Sequence, residues 1–286
     1  MSEFVIKTPV NTLVDLSNND YFYLIEMSNQ TFFESSLYSS ENTGFDGSTV
    51  NSASVNPRSI KIDLLIKNNV DVESAKRYLL RNLKPKKRHT IIWTREGREV
   101  VLEGVFEGLS MPRYTNKVIA QLSFYCENPY WVDKDVTIQR VSDVIPYHYF
   151  TTSLADMLYF DYEGEGIIFG EHDAQRTRTY ENLGDVETGL TIQIHAVDVV
   201  TNPVIYSSPT DFIGINDTLA AGDIVTITTE QGNKDIVKNG VSILNKIRQG
   251  STFLQLQLGE TTFTINTDDE KTNNLYFVIS YRQRYV

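Results

Sequence analysis

The sequence is nearly free of cysteine, with one residue, Cys126, among 286. One thiol cannot form a disulfide framework, and it excludes a zinc site built on paired cysteines. The chain also lacks any apolar run near the ~20 residues of a membrane-spanning helix. Because residues 1–7 contain no basic region followed by a long apolar stretch, we expect no secretory signal and no membrane insertion. These absences favour a protein made in a reducing compartment.

Positive charge is scarce, and the deficit lies in the second half of the chain. Lys and Arg number 26 against 37 Asp and Glu, which gives a net charge of −11. Residues 1–136 carry a net charge of −1, and residues 137–286 carry −10. A field of this sign repels the phosphates of nucleic acid. We therefore expect no sequence-specific nucleic-acid binding.

Motifs for catalysis are missing as well. The sequence has no G-x-S-x-G elbow, no P-loop and no dinucleotide fingerprint. We interpret Glu171-His172-Asp173 as a solvated acidic loop, with a metal site as the alternative. Cys126 is interpreted as a core residue rather than a nucleophile. We predict no enzyme, no catalytic residues, no metal and no cofactor. A glycoside hydrolase is kept as an alternative, although some pair among 37 carboxylates will always suit one.

The first half is organised around one alternating stretch, Lys117–Cys126. Every second residue from Val118 to Cys126 is apolar, and this period of two predicts a strand with one buried face. Asn128-Pro129 ends the strand, because proline has no amide hydrogen for the ladder. The next two residues, Tyr130 and Trp131, carry large rings that we expect to cover the edge of a core.

A single helix is predicted upstream of this strand. Asp71 is placed as its N-cap, and its apolar residues recur at spacings of three and four: Val72, Ala75, Leu79 and Leu83. Basic residues at 84–88 end the helix, where its C-terminus favours cations. The other strands predicted in this half are Tyr21–Met27, Ser59–Lys67, His89–Thr94 and Arg98–Phe106.

Two segments of the first half have no evident place in a core. Residues 34–59 are rich in Ser, Asn and Gly and predict a long loop. This is either a mobile surface loop or an arm that becomes ordered against a neighbouring subunit. Residues 84–88, Lys-Pro-Lys-Lys-Arg, form the one dense basic run. We interpret them as a solvated helix end or a subunit salt-bridge site, with nucleic-acid contact as the alternative.

Helical periodicity disappears after Trp131. Short alternating segments between turn residues predict strands at Leu190–Val197, Asp223–Thr229, Lys234–Lys238, Thr252–Leu258, Thr262–Asn266 and Leu275–Tyr281. Asn239-Gly240 is typical of a type I′ hairpin turn. The pattern indicates a mainly β (β + α) chain. Residues 1–136 are predicted to form an N-terminal β-sandwich or split-barrel-like domain with one helix, and residues 137–286 an antiparallel β-sandwich.

The order of these motifs resembles one protein family. The residues that carry the likeness are Arg58–Asp63, Leu83–Pro85, Phe124–Trp131, Asn182–Asp185, Val225–Thr229, Gly232–Ile236, Asn239-Gly240, Gly250–Phe253 and Leu258-Gly259. In this order, across nearly the whole chain, they resemble the distal tail (Dit) proteins of phages with long non-contractile tails. No single motif carries the resemblance; their order and spacing do.

The resemblance implies a structural protein at the distal end of the virion tail, synthesised in the host cytoplasm. It implies that residues 1–136 form a homo-hexameric ring, single or stacked, which continues the tail tube and lets DNA pass through its lumen. It also implies that residues 137–286 are a galectin-like sandwich outside the ring. The partners implied are the tail tube protein, the tail-tip hub or tail-associated protein, the tape measure protein and the receptor-binding proteins.

We predict that subunits meet through two segments, an arm (residues 35–57) and a basic turn (residues 84–88). The candidate interface residues are Phe45, Lys84, Lys86, Lys87 and Arg88. Residues 137–286 contain no Trp and no His-Asn-Arg string of the kind on which galectins bind sugar. We therefore interpret that half as a docking platform. A non-catalytic carbohydrate-binding adhesion module for host attachment is the alternative function.

Overall fold

The computed structural model describes residues 3–28, 34–41, 44, 46–95, 97–114, 117–140, 143–145, 171–173 and 176–286. Within these ranges the chain is mostly strand, with one α-helix and antiparallel ladders throughout, so the mainly β prediction is confirmed. The chain forms two compact units, Met1–Asp135 together with Arg284–Val286, and Val136–Gln283. The last three residues thus lie in the first unit, whereas the sequence placed them in the second domain.

The first unit is built on a ten-stranded antiparallel sheet. The elements of the whole unit are β1 Glu3–Lys7, β2 Leu13–Asp15, β3 Phe22–Ser28, β4 Ser35–Glu41, β5 Ser48–Val55, β6 Arg58–Ile66, α1 Val72–Asn82, β7 Arg88–Arg95, β8 Arg98–Ser110, β9 Arg113–Tyr114, β10 Lys117–Cys126, β11 Trp131–Asp133 and the C-terminal β27 Arg284–Tyr285. Strands β4 and β5 are not part of the ten-stranded sheet. The main order is β2-β1-β7-β8-β10-β6-β3, with β9 on β10, β11 on β8 and β27 on β11. The last three residues join the first unit because β27 pairs with β11.

Alternating side chains of this sheet fill one core. In β10 every second residue from Ala120 to Cys126 is buried, as the period of two predicted. Burial raises the pKa of the Cys126 thiol to about 12, which is the behaviour of a core residue. Trp131 is also buried, and its ring meets that of Trp93 edge-on at a centroid distance of 5.5 Å. The exit from β10 therefore closes the core.

The predicted cap of α1 is present. The Asp71 carboxylate accepts a hydrogen bond from the Ser74 amide at 2.9 Å, and this bond lowers the pKa of Asp71. Ala75 and Leu79 are buried, together with Leu83 just beyond the last turn. The helix thus packs its apolar stripe on the sheet and leaves its polar face to solvent.

The second unit contains two main antiparallel sheets. Its strands are β12 Thr137–Arg140, β13 Asp143–Ile145, β14 Glu171–Asp173, β15 Thr177–Asn182, β16 Thr188–Ala196, β17 Val200–Thr201, β18 Val204–Tyr206, β19 Phe212–Gly214, β20 Thr218–Leu219, β21 Ile224–Glu230, β22 Asn233–Lys238, β23 Val241–Ser242, β24 Gln255–Leu256, β25 Gly259–Asn266 and β26 Leu275–Tyr281. Short 3₁₀ turns lie at Leu244–Lys246 and Thr272–Asn274.

These two sheets enclose a core of their own. One has the order β12-β26-β16-β21-β22-β23, and the other has the order β15-β25-β18-β19. Ile192 of the first sheet and Phe263 of the second belong to the same buried cluster, as expected of a sandwich. Asn239 and Gly240 have φ values of 49° and 86°, so the predicted left-handed turn between β22 and β23 is confirmed.

Two segments of the second unit differ from prediction. Residues Thr252–Leu258 were expected to form one strand, but β24 contains two residues. It pairs with Thr188 and Gly189 alone. Residues Glu171–Asp173 were expected in an acidic loop, but they form β14 and pair with β13.

Candidate functional site

The arm is a β-hairpin rather than a loop. Strands β4 and β5 pair along their whole length, from Ser35 opposite Val55 to Glu41 opposite Ser48. Together they form a two-stranded sheet of their own. The expectation of a long loop is therefore wrong for the described residues of the arm. It arose because these strands lack the apolar alternation by which strands are recognised in a sequence.

One face of the hairpin, called its apolar face below, carries the aliphatic side chains together with serines and Glu41, and the other face is rich in hydroxyl groups. Directly opposed residues share a face, so Leu37 lies with Ala53, and Val50 lies with Ser39 on that same face. Tyr38 points to the other face, among serine residues. Leu37 is 63% exposed and Val50 is 55% exposed. The first unit thus leaves the apolar face of its own arm uncovered.

The basic turn follows α1, and its side chains are exposed. It is anchored to β8, because the Lys86 amide donates to the Phe106 carbonyl and the Phe106 amide donates to the Lys87 carbonyl, both at 3.3 Å. Lys86 has a left-handed φ of 62°. The structure therefore brings four of the candidate residues together in one exposed segment: Lys84, Lys86, Lys87 and Arg88. The fifth candidate, Phe45, lies outside the described residues.

Arg88 differs from the three lysines because its charge is paired within the chain. Its Nη2 atom donates to Glu127 Oε2 at 2.6 Å, and this hydrogen bond raises the pKa of the guanidinium. Arg88 and Tyr125 both lie opposite Val105 of β8, which brings Glu127 within reach. Sequence reasoning missed this pair because its members are 39 positions apart. Both side chains are more than half exposed, so the pair contributes only ~0–1 kcal/mol.

His89 is buried directly behind the basic turn, with 2% of its surface exposed. Its Nδ1 atom donates to the Lys87 carbonyl at 2.9 Å, since a carbonyl oxygen can only accept. The ring lies edge-on against Phe106 and Phe124. Its Nε2 atom is buried and has no hydrogen-bond partner among the residues that the structure describes. Burial lowers the pKa of His89, so the folded protein favours the neutral ring.

Lowering the pH should destabilise the first unit through His89. The unfolded chain takes up a proton as the pH falls through the ordinary pKa of 6.5, whereas the buried ring resists protonation. The free energy of unfolding contributed by this residue is therefore complete above about pH 6.5. Below that pH it falls by up to ~1.4 kcal/mol for each pH unit, until the lowered pKa of the folded state is reached.

Urea unfolding of the wild type and of His89→Gln, at about pH 7.5 and about pH 5, measures this effect. The variant should lose less stability than the wild type between the two pH values. The comparison uses the change with pH and not the stability itself, so a destabilised variant is still informative. An equal loss in both proteins would contradict the role given to His89.

In the described part of the second unit, charged side chains form ion pairs with one another. Lys238 lies 3.4 Å from Asp217 and 2.9 Å from Asp223. The hydrogen bond from Lys238 lowers the pKa of Asp223 to about 2. Among all described residues, no group of three or more His, Cys, Asp and Glu side chains is placed to hold a metal ion. Nor does the described chain contain a helix of the length and hydrophobicity that crossing a membrane requires.

Two protein-family models match this chain, one in each half of the sequence. Residues 13–126 match a phage tail protein RIFT-related domain, and residues 183–285 match the C-terminal domain of a siphovirus-type tail component. The chain belongs to the siphophage distal tail protein family. The resemblance seen in the motif order is thereby confirmed. This distal tail protein is a structural component of the phage tail, and its place is in the virion.

The fold of this distal tail protein is also found in a solved phage protein, and a second solved structure is reported with it. The crystal structure of the Dit protein of phage SPP1, described as a paradigm of the hub adsorption apparatus in phages that infect Gram-positive bacteria, is 15% identical. The match covers 99% of both chains with a TM-score of 0.65. A chain of the phage P2 baseplate, in its activated conformation with Ca, is 12% identical over 99% of this chain and 98% of its own, with a TM-score of 0.49. No curated protein sequence matches this one.

Proposed function

We propose that this distal tail protein assembles into a homo-hexameric ring that joins the tail tube to the tail-tip hub and the receptor-binding proteins. DNA passes through the lumen of the ring. The observation that carries the proposal is the arm, a paired hairpin whose apolar face its own unit leaves uncovered. Membership of the family supports the position at the tail tip.

The arm needs a surface that the single chain does not offer. An isolated two-stranded hairpin is at best marginally stable in water, and exposed apolar residues on one face add to that instability. A second copy of the chain can cover this face. Because the arm differs from the surface that receives it, the contact is head-to-tail, and a head-to-tail contact closes into a ring when the rotation allows.

The charge of the chain suits a ring through which DNA moves. Each phosphate contact made by Lys or Arg strengthens binding to DNA, so a basic lumen would hold the DNA that it has to release. The first unit is close to neutral, and the whole chain carries a net charge of −11. We assign the ring contacts to the first unit. We assign the docking of receptor-binding proteins to the second, which has a core of its own.

Deleting residues 40–52, so that Tyr38 and Ser39 form the turn between Leu37 and Ala53, should abolish the ring and leave the chain folded. The deletion removes the outer half of the arm, including Val50 from its apolar face. None of the arm residues that the structure describes belongs to the core of the first unit, so we expect the fold to be independent of the deleted segment. Light scattering and negative-stain microscopy should show hexameric rings for the wild type and monomers for the variant.

A matched control replaces Tyr38, which lies on the hydroxyl-rich face, with serine. This variant keeps the apolar face and should still assemble. Rings formed by the deleted protein would contradict the role of the arm. A wild-type protein that stays monomeric at every concentration, both alone and with its tail partners, would contradict the ring itself.

A further inference from the structure

The arm is an acidic element without a single cation. The arm and the residue before it carry three exposed carboxylates, Glu34, Glu41 and Asp46, and residues 34–57 contain no Lys or Arg. None of the three carboxylates forms an ion pair with a residue that the structure describes. Glu41 lies at the outer end of β4, beyond the apolar residue Leu37. The arm therefore combines a hydrophobic face with negative charge along its length.

The basic turn offers the opposite charge in equal number. Lys84, Lys86 and Lys87 are exposed, and none of them forms an ion pair within the described parts of the chain. Arg88 does not add to this count because Glu127 neutralises it. The bonds of the turn to β8 and to His89 fix its backbone. A charged segment with a fixed backbone loses little conformational entropy when a partner binds to it.

We propose that the arm of one chain seats on the basic turn of the neighbouring copy. Glu41 and Asp46, at the outer end of the arm, face the lysines of the turn, and the Leu37 face of the hairpin packs beside them. This proposal rests on the proposed ring, and it identifies the basic turn as the surface that receives the arm. Donor and acceptor surfaces differ, so each subunit gives one arm and accepts one, as a closed ring requires.

Charge and apolar area play different parts in this contact. Ion pairs at an exposed surface add little affinity, but they suppress wrong registers and speed association. The apolar face of the hairpin supplies area removed from water. Because exposed charges are screened by salt, ring formation should weaken as the salt concentration rises from about 0.05 M to about 0.5 M.

Charge reversal tests the contact. One variant reverses the arm, with Glu34→Lys, Glu41→Lys and Asp46→Lys. A second variant reverses the turn, with Lys84→Glu, Lys86→Glu and Lys87→Glu. Each alone places like charges together, and the concentration for half-assembly should rise at least about tenfold. A control with the same change in net charge as the turn variant reverses three exposed lysines of the first unit outside the turn, Lys7, Lys61 and Lys117, and should assemble as the wild type does.

Mixing the two variants separates a contact between chains from one within a chain. In an equimolar mixture each arm meets a turn of opposite charge on the other variant, so rings of alternating composition should form, and native mass spectrometry identifies them. Combining all six substitutions in one chain should also restore assembly. If the combined chain assembles but the mixture does not, the contact lies within one chain and the proposal fails. If wild-type rings form and neither reversal affects them, the proposal fails while the ring stands.

Discussion

Replacing Trp131 with alanine should lower the free energy of unfolding of the first unit by ~3–5 kcal/mol. The ring is 1% exposed and lies edge-on against Trp93, which itself stacks on Phe4 at 5.6 Å. The backbone of β11 also links two parts of the sheet, because it pairs with β8 on one side and β27 on the other. A cavity at Trp131 therefore weakens the core where the C-terminal strand joins it.

Tryptophan fluorescence reports selectively on the unfolding of the first unit, because both tryptophans of the chain, Trp93 and Trp131, lie in that unit. Urea unfolding at low protein concentration keeps assembly from adding to the apparent stability. Trp131→Phe keeps an aromatic ring in the site, so its free energy of unfolding should fall by less than that of the alanine variant. Tyr23→Ala, at a site 58% exposed, should lose about 1 kcal/mol or less. A loss below about 1 kcal/mol for Trp131→Ala would contradict the place given to this residue.

The helices and strands predicted correctly from the sequence are those whose local residue pattern matches the burial of their side chains in the fold. The strand Lys117–Cys126 has the predicted ends because its alternation matches a sheet with one buried face. The helix begins after Asp71 because a carboxylate at that position satisfies a free amide. In both cases the cause of the structure lies within about ten neighbouring residues.

The arm could not be predicted as a hairpin because its strands do not face a core of their own chain. Residues Ser48–Val55 are exposed almost throughout, so no selection for apolar alternation acts on them within the monomer. The basic turn was found in the sequence, but the pairing of Arg88 with Glu127 was not. That pairing depends on two strands sharing β8 as a neighbour, which is a property of the sheet order. That Lys84, Lys86 and Lys87 form no ion pair with a described residue could be seen only in the structure.

Replacing Gly189 with alanine should destabilise the second unit by ~1–3 kcal/mol. A Cβ atom at this position would lie 2.7 Å from the Cα atom of Glu230 and 3.0 Å from its amide nitrogen. Both are backbone atoms, so no side-chain rotation relieves the contact and β21 has to shift. The same shift strains the hydrogen bond from the Leu190 amide to the buried Thr229 hydroxyl, which is 2.8 Å long.

Gly108→Ala is the matched control, because a Cβ atom there has no heavy atom within 4 Å and its backbone is not left-handed. Scanning calorimetry of both variants, with tryptophan emission to identify the transition of the first unit, assigns the remaining transition to the second. Gly189→Ala should lower that transition, and Gly108→Ala should leave both within about 0.5 kcal/mol of the wild type. An unchanged second transition would mean that β21 moves freely at Glu230. It would then contradict the close approach of the two backbones at Gly189 and Glu230.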